Sequence, residues 1–321
     1  MSNALPVLLD VDTGGDDALA LLLAMASPAL DVRGITCVAG NCALEQAVSN
    51  TLTLLDAIDA PPVPVAAGMD RPILGSGLPA PALHGGDGMG DLGLPAPRRR
   101  VVDDHAVSFL RRALSDAEEP MTLICLAPLS NIAMLLRMYP RIGEKIDRLY
   151  VMGGTYASPG NTTPAGEFNV CYDPEAAAIV LQSGLPVTLY PLDPFMQVRF
   201  TKEEGKRLSK SASAGARIAG GIALHYCGFF GYDFSLIGDA GTVATVIDPE
   251  GATVERRSML VELSGGATRG ATVFDRRIVT DGFKREGNWT DVDVVTNVDG
   301  DRYRRLMAGA LGAPEALTDQ A

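Results

Sequence analysis

Leu8-Leu9-Asp10-Val11-Asp12-Thr13-Gly14-Gly15-Asp16-Asp17, running straight into Ala18-Leu19-Ala20-Leu21-Leu22-Leu23-Ala24, decides the fold. Residues 7–9 are an apolar run that reads as a buried strand. Leu19, Leu22, Leu23 and Ala26 recur at three- and four-residue spacing, which predicts a helix from Ala18 onward. A glycine pair lies between them, where the chain must turn sharply without a steric penalty. In open α/β sheets such strand–turn–helix loops build sites beyond the carboxyl ends of the strands. This loop holds Asp10, Asp12, Asp16 and Asp17, four carboxylates within eight residues. Helix capping by Asp12 or Thr13, with Asp16 and Asp17 opposite the helix dipole, accounts for two acidic residues and not for four. Clustered carboxylates repel one another unless a cation sits among them, and their oxygens are hard ligands of the kind Ca²⁺ or Mg²⁺ takes. The expectation is a metal-and-substrate site.

Composition narrows the function classes. With 321 residues and 47% hydrophobic content, the chain can bury a large core. Asp and Glu number 39 against 27 Lys and Arg, a net charge of −12, and the basic triplet Arg98–Arg100 stands alone in a proline-rich loop. No nucleic-acid partner is expected from that balance. Cysteines 37, 42, 125, 171 and 227 are odd in number and include no C-x-x-C pair. They read as reduced thiols of a cytoplasmic protein. The N-terminus meets an acidic loop within ten residues, and no apolar run reaches membrane-spanning length, so neither a signal peptide nor a membrane partner is expected.

Along the chain, strands at 30–38 and 63–66 flank a helix with Leu44, Ala47, Val48, Leu55 and Ile58 on one face. From Gly68 to Arg100 the pattern dissolves into glycine and proline around His84, a segment readable as a lid or as plain surface. Helix, strand and helix follow at 102–114, 121–126 and 131–138, with Ser130 as the expected cap. A strand at 149–152 closes in Gly153-Gly154 and leads into a loop bearing Asn161, Glu167 and Asn169. Asp173-Pro174 opens a helix as cap and first helical residue. A strand at 186–191 ends near Asp193, residues 202–224 read as a surface helix, and 225–233 (HYCGFFGYD) as aromatic packing. A helix opens at Asp239-Ala240, a hairpin is expected over 258–274, a late strand over 292–297 and a closing helix over 302–311. The alternation predicts an α/β fold, an open, mostly parallel sheet flanked by helices with a Rossmann-like core. With no repeat and no linker, residues 1–321 are expected to form a single domain.

These residues resemble the inosine–uridine-preferring nucleoside hydrolase family. Its Asp-x-Asp-Pro-Gly-x-Asp-Asp-Ala signature is matched by residues 10–18, with Thr13 in place of proline. The likeness continues through Val38-Ala39-Gly40-Asn41, His84 with Gly88-Met89-Gly90, Ser130–Met134 and Val151-Met152-Gly153-Gly154. It is strong again in Gly160-Asn161, Glu167-Phe168-Asn169 and Asp173–Ala177, so it spans most of the chain in order. The resemblance implies Ca²⁺-dependent hydrolysis of the N-glycosidic bond of ribonucleosides, a salvage reaction giving base and ribose, by a homodimer or homotetramer. It implies Asp12, Asp17, Asp239 and the Leu126 carbonyl as metal ligands, with Asp12 also the catalytic base toward a metal-activated water. Asp16, Asn161, Glu167 and Asn169 would hold the ribose, with Asn41 and His84 also on the substrate, and Asp10 would buttress the loop. The chemistry is coherent: cleavage develops oxocarbenium-like charge on the sugar, and surrounding carboxylates and amide oxygens stabilise it.

One position departs from the pattern. Many family members carry a His immediately before the last metal aspartate, where it helps to protonate the leaving base; this chain has Gly238. His225, Tyr226, Tyr232 and Asp233 are the candidate substitutes. Two rival readings remain. Asp10–Gly14 also fits the opening of a haloacid-dehalogenase-like phosphatase, with Asp10 as nucleophile and Asp12 as acid/base; that leaves Asp16-Asp17 unexplained. A ribose-binding protein that lost turnover would suit Gly238, but gives no reason to keep Asp12, Asp17 and Asp239 together.

Overall fold

A computed structural model describes residues 4–78, 82–278 and 287–318. The proline-rich stretch around His84 therefore lies partly outside the described residues. In the first half, β1 (Leu5–Val11), α1 (Gly15–Ala26), β2 (Leu30–Cys37), α2 (Leu44–Ala57) and β3 (Val65–Ala67) alternate as the apolar pattern requires. After a long loop come α3 (Ala106–Asp116), β4 (Met121–Cys125), α4 (Ser130–Met138) and β5 (Ile146–Met152). Short helices α5 (Phe168–Tyr172) and α6 (Pro174–Leu181) precede β6 (Val187–Tyr190) and the single turn α7 (Leu192–Phe195). The chain continues through β7 (Arg199–Thr201), α8 (Lys202–Leu208), α9 (Ala214–Phe230), β8 (Phe234–Leu236) and α10 (Ala240–Ile247). It closes with β9 (Ala252–Val261), β10 (Thr272–Phe274), β11 (Thr290–Val298) and α11 (Gly300–Ala310).

Nine strands form one sheet in the order β10-β9-β11-β6-β5-β4-β1-β2-β3. Neighbours from β3 to β11 pair in parallel, whereas β9 runs antiparallel to β11 and β10. β7 and β8 make a separate antiparallel pair. Within the large sheet, the run 3-2-1-4-5-6 is the doubly wound order, and its direction of winding reverses between β1 and β4. A crevice therefore opens where Asp12 leaves β1 and Leu126 leaves β4.

β1 is buried on both faces, as a central parallel strand must be. Val7, Leu9 and Val11 pack into the layer containing α1, α9 and α10, while Leu8 joins the opposite layer with α3, α4 and α6. Helix α1 is enclosed all round from Asp17 to Ala24, so its apolar content exceeds a single stripe; Ala26, expected on that stripe, is exposed.

Three local expectations change. Ser130 begins α4 instead of capping it; Leu129 takes the cap position. The Ser130 hydroxyl donates to Asp173 Oδ2 at 2.6 Å, which also accepts from Ile73 N at 2.8 Å. Asp173 caps α6 through Ala176 N as expected, but it also ties the long loop to α4. The surface helix over 202–224 is two helices broken at residues 209–213, and α9 buries Ile218, Ala219, Ile222 and Ala223. Residues 225–230 complete α9, which ends at Gly231 with φ 69°, the left-handed conformation that glycine takes at a helix stop.

A charged rung stitches the sheet's later strands. Arg148 on β5 donates to Thr188 on β6 and to Asp293 on β11, at 2.9 and 2.7 Å, and Arg256 on β9 reaches Asp293 at 3.2 Å. Partial burial pushes the Asp293 carboxyl up, but the two arginines outweigh it and hold it below the ordinary carboxylate range. A depressed folded-state pKa contributes stability above the unfolded value and loses it as pH falls through the folded one. Asp293→Asn should therefore cost about 1 kcal/mol at pH 7. The difference from the parent should shrink in denaturant titrations run progressively below pH 4.

Candidate active site

The site is assembled at the carboxyl ends of the strands. Gly40, just past β2, approaches so closely that a Cβ there would meet Asp12 Oδ2 at 2.0 Å. This contact lets Asn41 N donate to Asp12 Oδ2 at 2.6 Å, while Asn41 Nδ2 reaches Asp12 Oδ1 at 3.3 Å and Asp17 Oδ2 at 3.0 Å. Asp17, in the first turn of α1, also accepts from the main-chain N of Asp12 and Gly14, at 3.2 and 3.0 Å. From the other side, Asp239 stands at the start of α10. Asp16, Asp17 and Asp239 each offer a carboxylate oxygen, and these lie within 4.8 Å of one another.

No lysine or arginine pairs with these groups among the described residues. Burial, then the charge of Asp17, drives the Asp12 carboxyl well above its ordinary range. Burial, then Asp16, lifts Asp17 to about 7. Asp239 rises well above its range from burial and from Asp16, Asp17 and Asp12 in turn. Asp16 Oδ1 is buried with no hydrogen-bond partner. An orphaned oxygen, hard ligands and uncompensated charge together fit a divalent cation.

The wall opposite the carboxylate floor is built from the loop after β5. Glu167 caps α5 by accepting from Asn169 N at 2.7 Å and Val170 N at 3.1 Å, and it takes Gly154 N at 2.9 Å. Burial still raises it to about 7 against those three donors. Asn169 Nδ2 donates to the Leu126 carbonyl at 2.8 Å. Asn161 Oδ1 accepts from Phe168 N at 2.9 Å, which leaves its Nδ2 as a donor toward the cavity.

A cavity of about 910 Å³ joins these parts. Asp16, Asn41, His84 and Leu126 line it, as do Asn161, Glu167, Asn169 and Asp239. Asp12 and Asp17 are fully buried, held by the Asn41 amide. His84 is buried too; its Nδ1 accepts from Gly15 N at 3.2 Å and meets the Tyr226 hydroxyl at 2.9 Å. Asp10 stays inside β1, bonded to Thr36 and Asn131 and raised to about 7 by burial. Like Asp12 and Asp17 it does not line the cavity, and its Oδ1 is committed to Thr36 and Asn131 within the strand layer.

The candidate proton donors separate. His225 Nε2 pairs with the Leu83 carbonyl at 3.0 Å, and neither His225 nor Asp233 lines the cavity. Tyr226 does, but its hydroxyl is taken by His84 and by the Asp16 backbone. Tyr232 lines the cavity within a stack of near-parallel rings, 5.9 Å from Phe230 and 5.3 Å from Phe234. The aromatic run expected to be packing is thus partly cavity wall. Leu192 and Phe195, on α7, complete that wall; sequence reading passed over them, although their place just past a strand's carboxyl end was the available signal. Gly238 has φ 56°, and a Cβ there would sit 2.5 Å from Asp16 Cβ and 3.1 Å from Phe195. The backbone has been fitted to glycine, and the space of a larger residue is filled.

A doubly wound sheet with a cation-ready carboxylate floor and a wall of oriented amides and carboxylates makes an enzyme-like site for a polar small molecule beside a divalent cation. The chain belongs to the inosine-uridine preferring nucleoside hydrolase family, whose profile matches residues 7–305. It is 35% identical over 313 residues to the pyrimidine-specific ribonucleoside hydrolase RihA of Escherichia coli O1:K1, covering 96% of this chain and 98% of that one. It superposes on the plant nucleoside hydrolase PpNRh1 with a TM-score of 0.89 at 27% identity, over 97% of this chain and 99% of that one. An inosine-guanosine nucleoside hydrolase gives a TM-score of 0.89 at 30% identity, over 96% and 99%. The protein is a ribonucleoside hydrolase.

Two outcomes are expected. A carboxyl raised in the folded state contributes stability below its unfolded pKa and loses it as pH rises through the folded value. In chelator, thermal unfolding should therefore show stability falling from about pH 4 to about pH 7, and levelling above that, as Asp17 and Glu167 ionise, and excess divalent cation should flatten that slope. Gly238→His should not install a proton donor: overpacking against Asp16 and Phe195 should cost about 1–3 kcal/mol and lower ribose release, read by thermal melts and steady-state assay.

Proposed function

We propose that this ribonucleoside hydrolase uses Ca²⁺, with Asp12 as general base, and that Asp12, Asp17, Asp239 and the Leu126 carbonyl hold the ion. The observation that carries the reading is the convergence of carboxylates around the Asp16–Asp17–Asp239 group with no lysine or arginine among the described residues to neutralise them. A bound divalent cation supplies a Lewis acid that acidifies and orients water at the cavity floor.

The chain's own residues do the rest. Asn41 fixes the Asp12 carboxylate through two N–H bonds, so that it accepts the proton of the attacking water at a set position. Asp16, Glu167, Asn161 and Asn169 hold the ribose hydroxyls and bring the anomeric carbon to the water. As the glycosidic bond breaks, positive charge grows on the sugar and the surrounding carboxylates stabilise it. The base departs toward Tyr232, Phe234 and Phe195, with His84 beside it. In the same reading the enzyme works in the cytoplasm, in keeping with its five unpaired cysteines, as two or four copies on one small-molecule substrate.

Release of reducing ribose from purine and pyrimidine nucleosides, after chelation and after Ca²⁺ is restored, tests the proposal; both base classes belong in the panel because the relatives' names divide between them. Chelation should abolish turnover and lower the melting temperature, since a bound ion stabilises the native state. Asp12→Asn should cut kcat by about 10²–10⁴-fold in a protein that melts no lower than its parent. Near-normal turnover in that variant would remove Asp12 as the base.

A further inference from the structure

We infer that Asp193 is a positioning residue for substrate, acting through the loop that carries Asn161; the inference rests on the ribose-binding role proposed for Asn161. Asp193 lies on α7, half-buried, and does not line the cavity. Its carboxylate accepts three successive main-chain N–H groups: Tyr156 N on Oδ2 at 2.8 Å, and Ala157 N and Ser158 N on Oδ1, each at 2.9 Å. Residues 156–158 belong to no helix or strand, so no regular hydrogen-bond pattern aims those three donors in one direction. The carboxylate does, as a concave run of N–H groups holds an anion.

Directly beyond the latched residues the chain becomes the cavity wall. Ser158, Pro159, Gly160, Asn161 and Thr162 all line the cavity. The same loop is pinned at its start by Thr272, whose hydroxyl accepts from Thr155 N and donates to Thr155 O, both at 2.8 Å. It is pinned at its end by Phe168 N on Asn161 Oδ1. Between these two ends, Asp193 is the side chain that takes the main-chain donors of residues 156–158. Leu192 N also donates to the Gly154 carbonyl at 3.0 Å, so α7 grips the loop on both sides of Thr155. The same turn places Phe195 in the aromatic wall. One short helix thus sets the relation between the ribose end and the base end of the cavity.

Three freed donors will draw the loop toward water, and a ribose contact made equally in ground and transition states is then lost from binding and not from kcat. Asp193→Ala should raise KM for nucleosides by about 10-fold or more with kcat within about threefold, because the loop orients bound ribose and Asp12 is untouched. Inhibition by free ribose should weaken in step, while inhibition by free base should not. Asp193→Asn keeps one acceptor oxygen for the Ala157 and Ser158 donors and should fall between parent and alanine variant; the split between ribose and base inhibition is the readout a purely structural role would not produce. An unchanged KM and ribose inhibition in folded Asp193→Ala overturns the inference, as does a loss accounted for entirely by a reduced folded fraction. Silence of the unsubstituted enzyme across the nucleoside panel would instead overturn the ribose-binding reading beneath it.

Discussion

Repulsion among carboxylates held out of water is the constraint on which this structure depends. Asp12, Asp17 and Asp239 are buried, Asp16 adds an oxygen without a hydrogen-bond partner, and no lysine or arginine among the described residues pairs with them. Such a group is unfavourable in isolation. The fold holds it together by main force elsewhere: β1 is packed on both faces and α1 is enclosed all round, so the loop between them has little freedom to open. Stability stored in the apolar layers is set against local electrostatic cost, as is usual where a site must be ready for a ligand before the ligand arrives.

Topology explains why the cost falls here. Winding in opposite directions from β1 and β4 leaves the space beyond their carboxyl ends uncovered by helix connections. Asp12 and Leu126 emerge on the two sides of that gap. Close backbone approach at Gly40 then brings the Asn41 amide onto two carboxylates at once. A side chain at that position would separate them.

The two ends of the cavity are built by different physics. At the end proposed to hold ribose, amides and carboxylates are individually oriented by main-chain donors, as Glu167 is by three and Asp193 by three. The other end, proposed to hold the base, is a stack of rings beside a glycine whose backbone leaves no room for a side chain. Directional bonds suit a sugar with fixed hydroxyls, whereas flat apolar surface suits a planar base. Gly238 sits where the two meet, since Asp16 on one side and Phe195 on the other occupy the volume that a larger residue would need.

The sequence by itself determined the alternation of strand and helix over residues 5–57, the closing strand and helix, and the grouping of Asp12, Asp16 and Asp17, because each depends on neighbours a few positions apart. Position at the carboxyl end of a strand singled out Asn161, Glu167 and Asn169, whereas family likeness alone pointed to Leu126 and Asp239; Gly238-Asp239-Ala240 reads locally as any helix opening. Only the tertiary structure decided that Ser130 serves Asp173 instead of its own helix, that residues 202–230 break into two helices, and that the aromatic run becomes a wall of the cavity. It alone also brought Asp193 to the loop at 156–158, across 35 to 37 positions of chain. Local pattern records which face of an element is apolar, but which polar group meets which is settled by strand order, and that is a property of the whole chain.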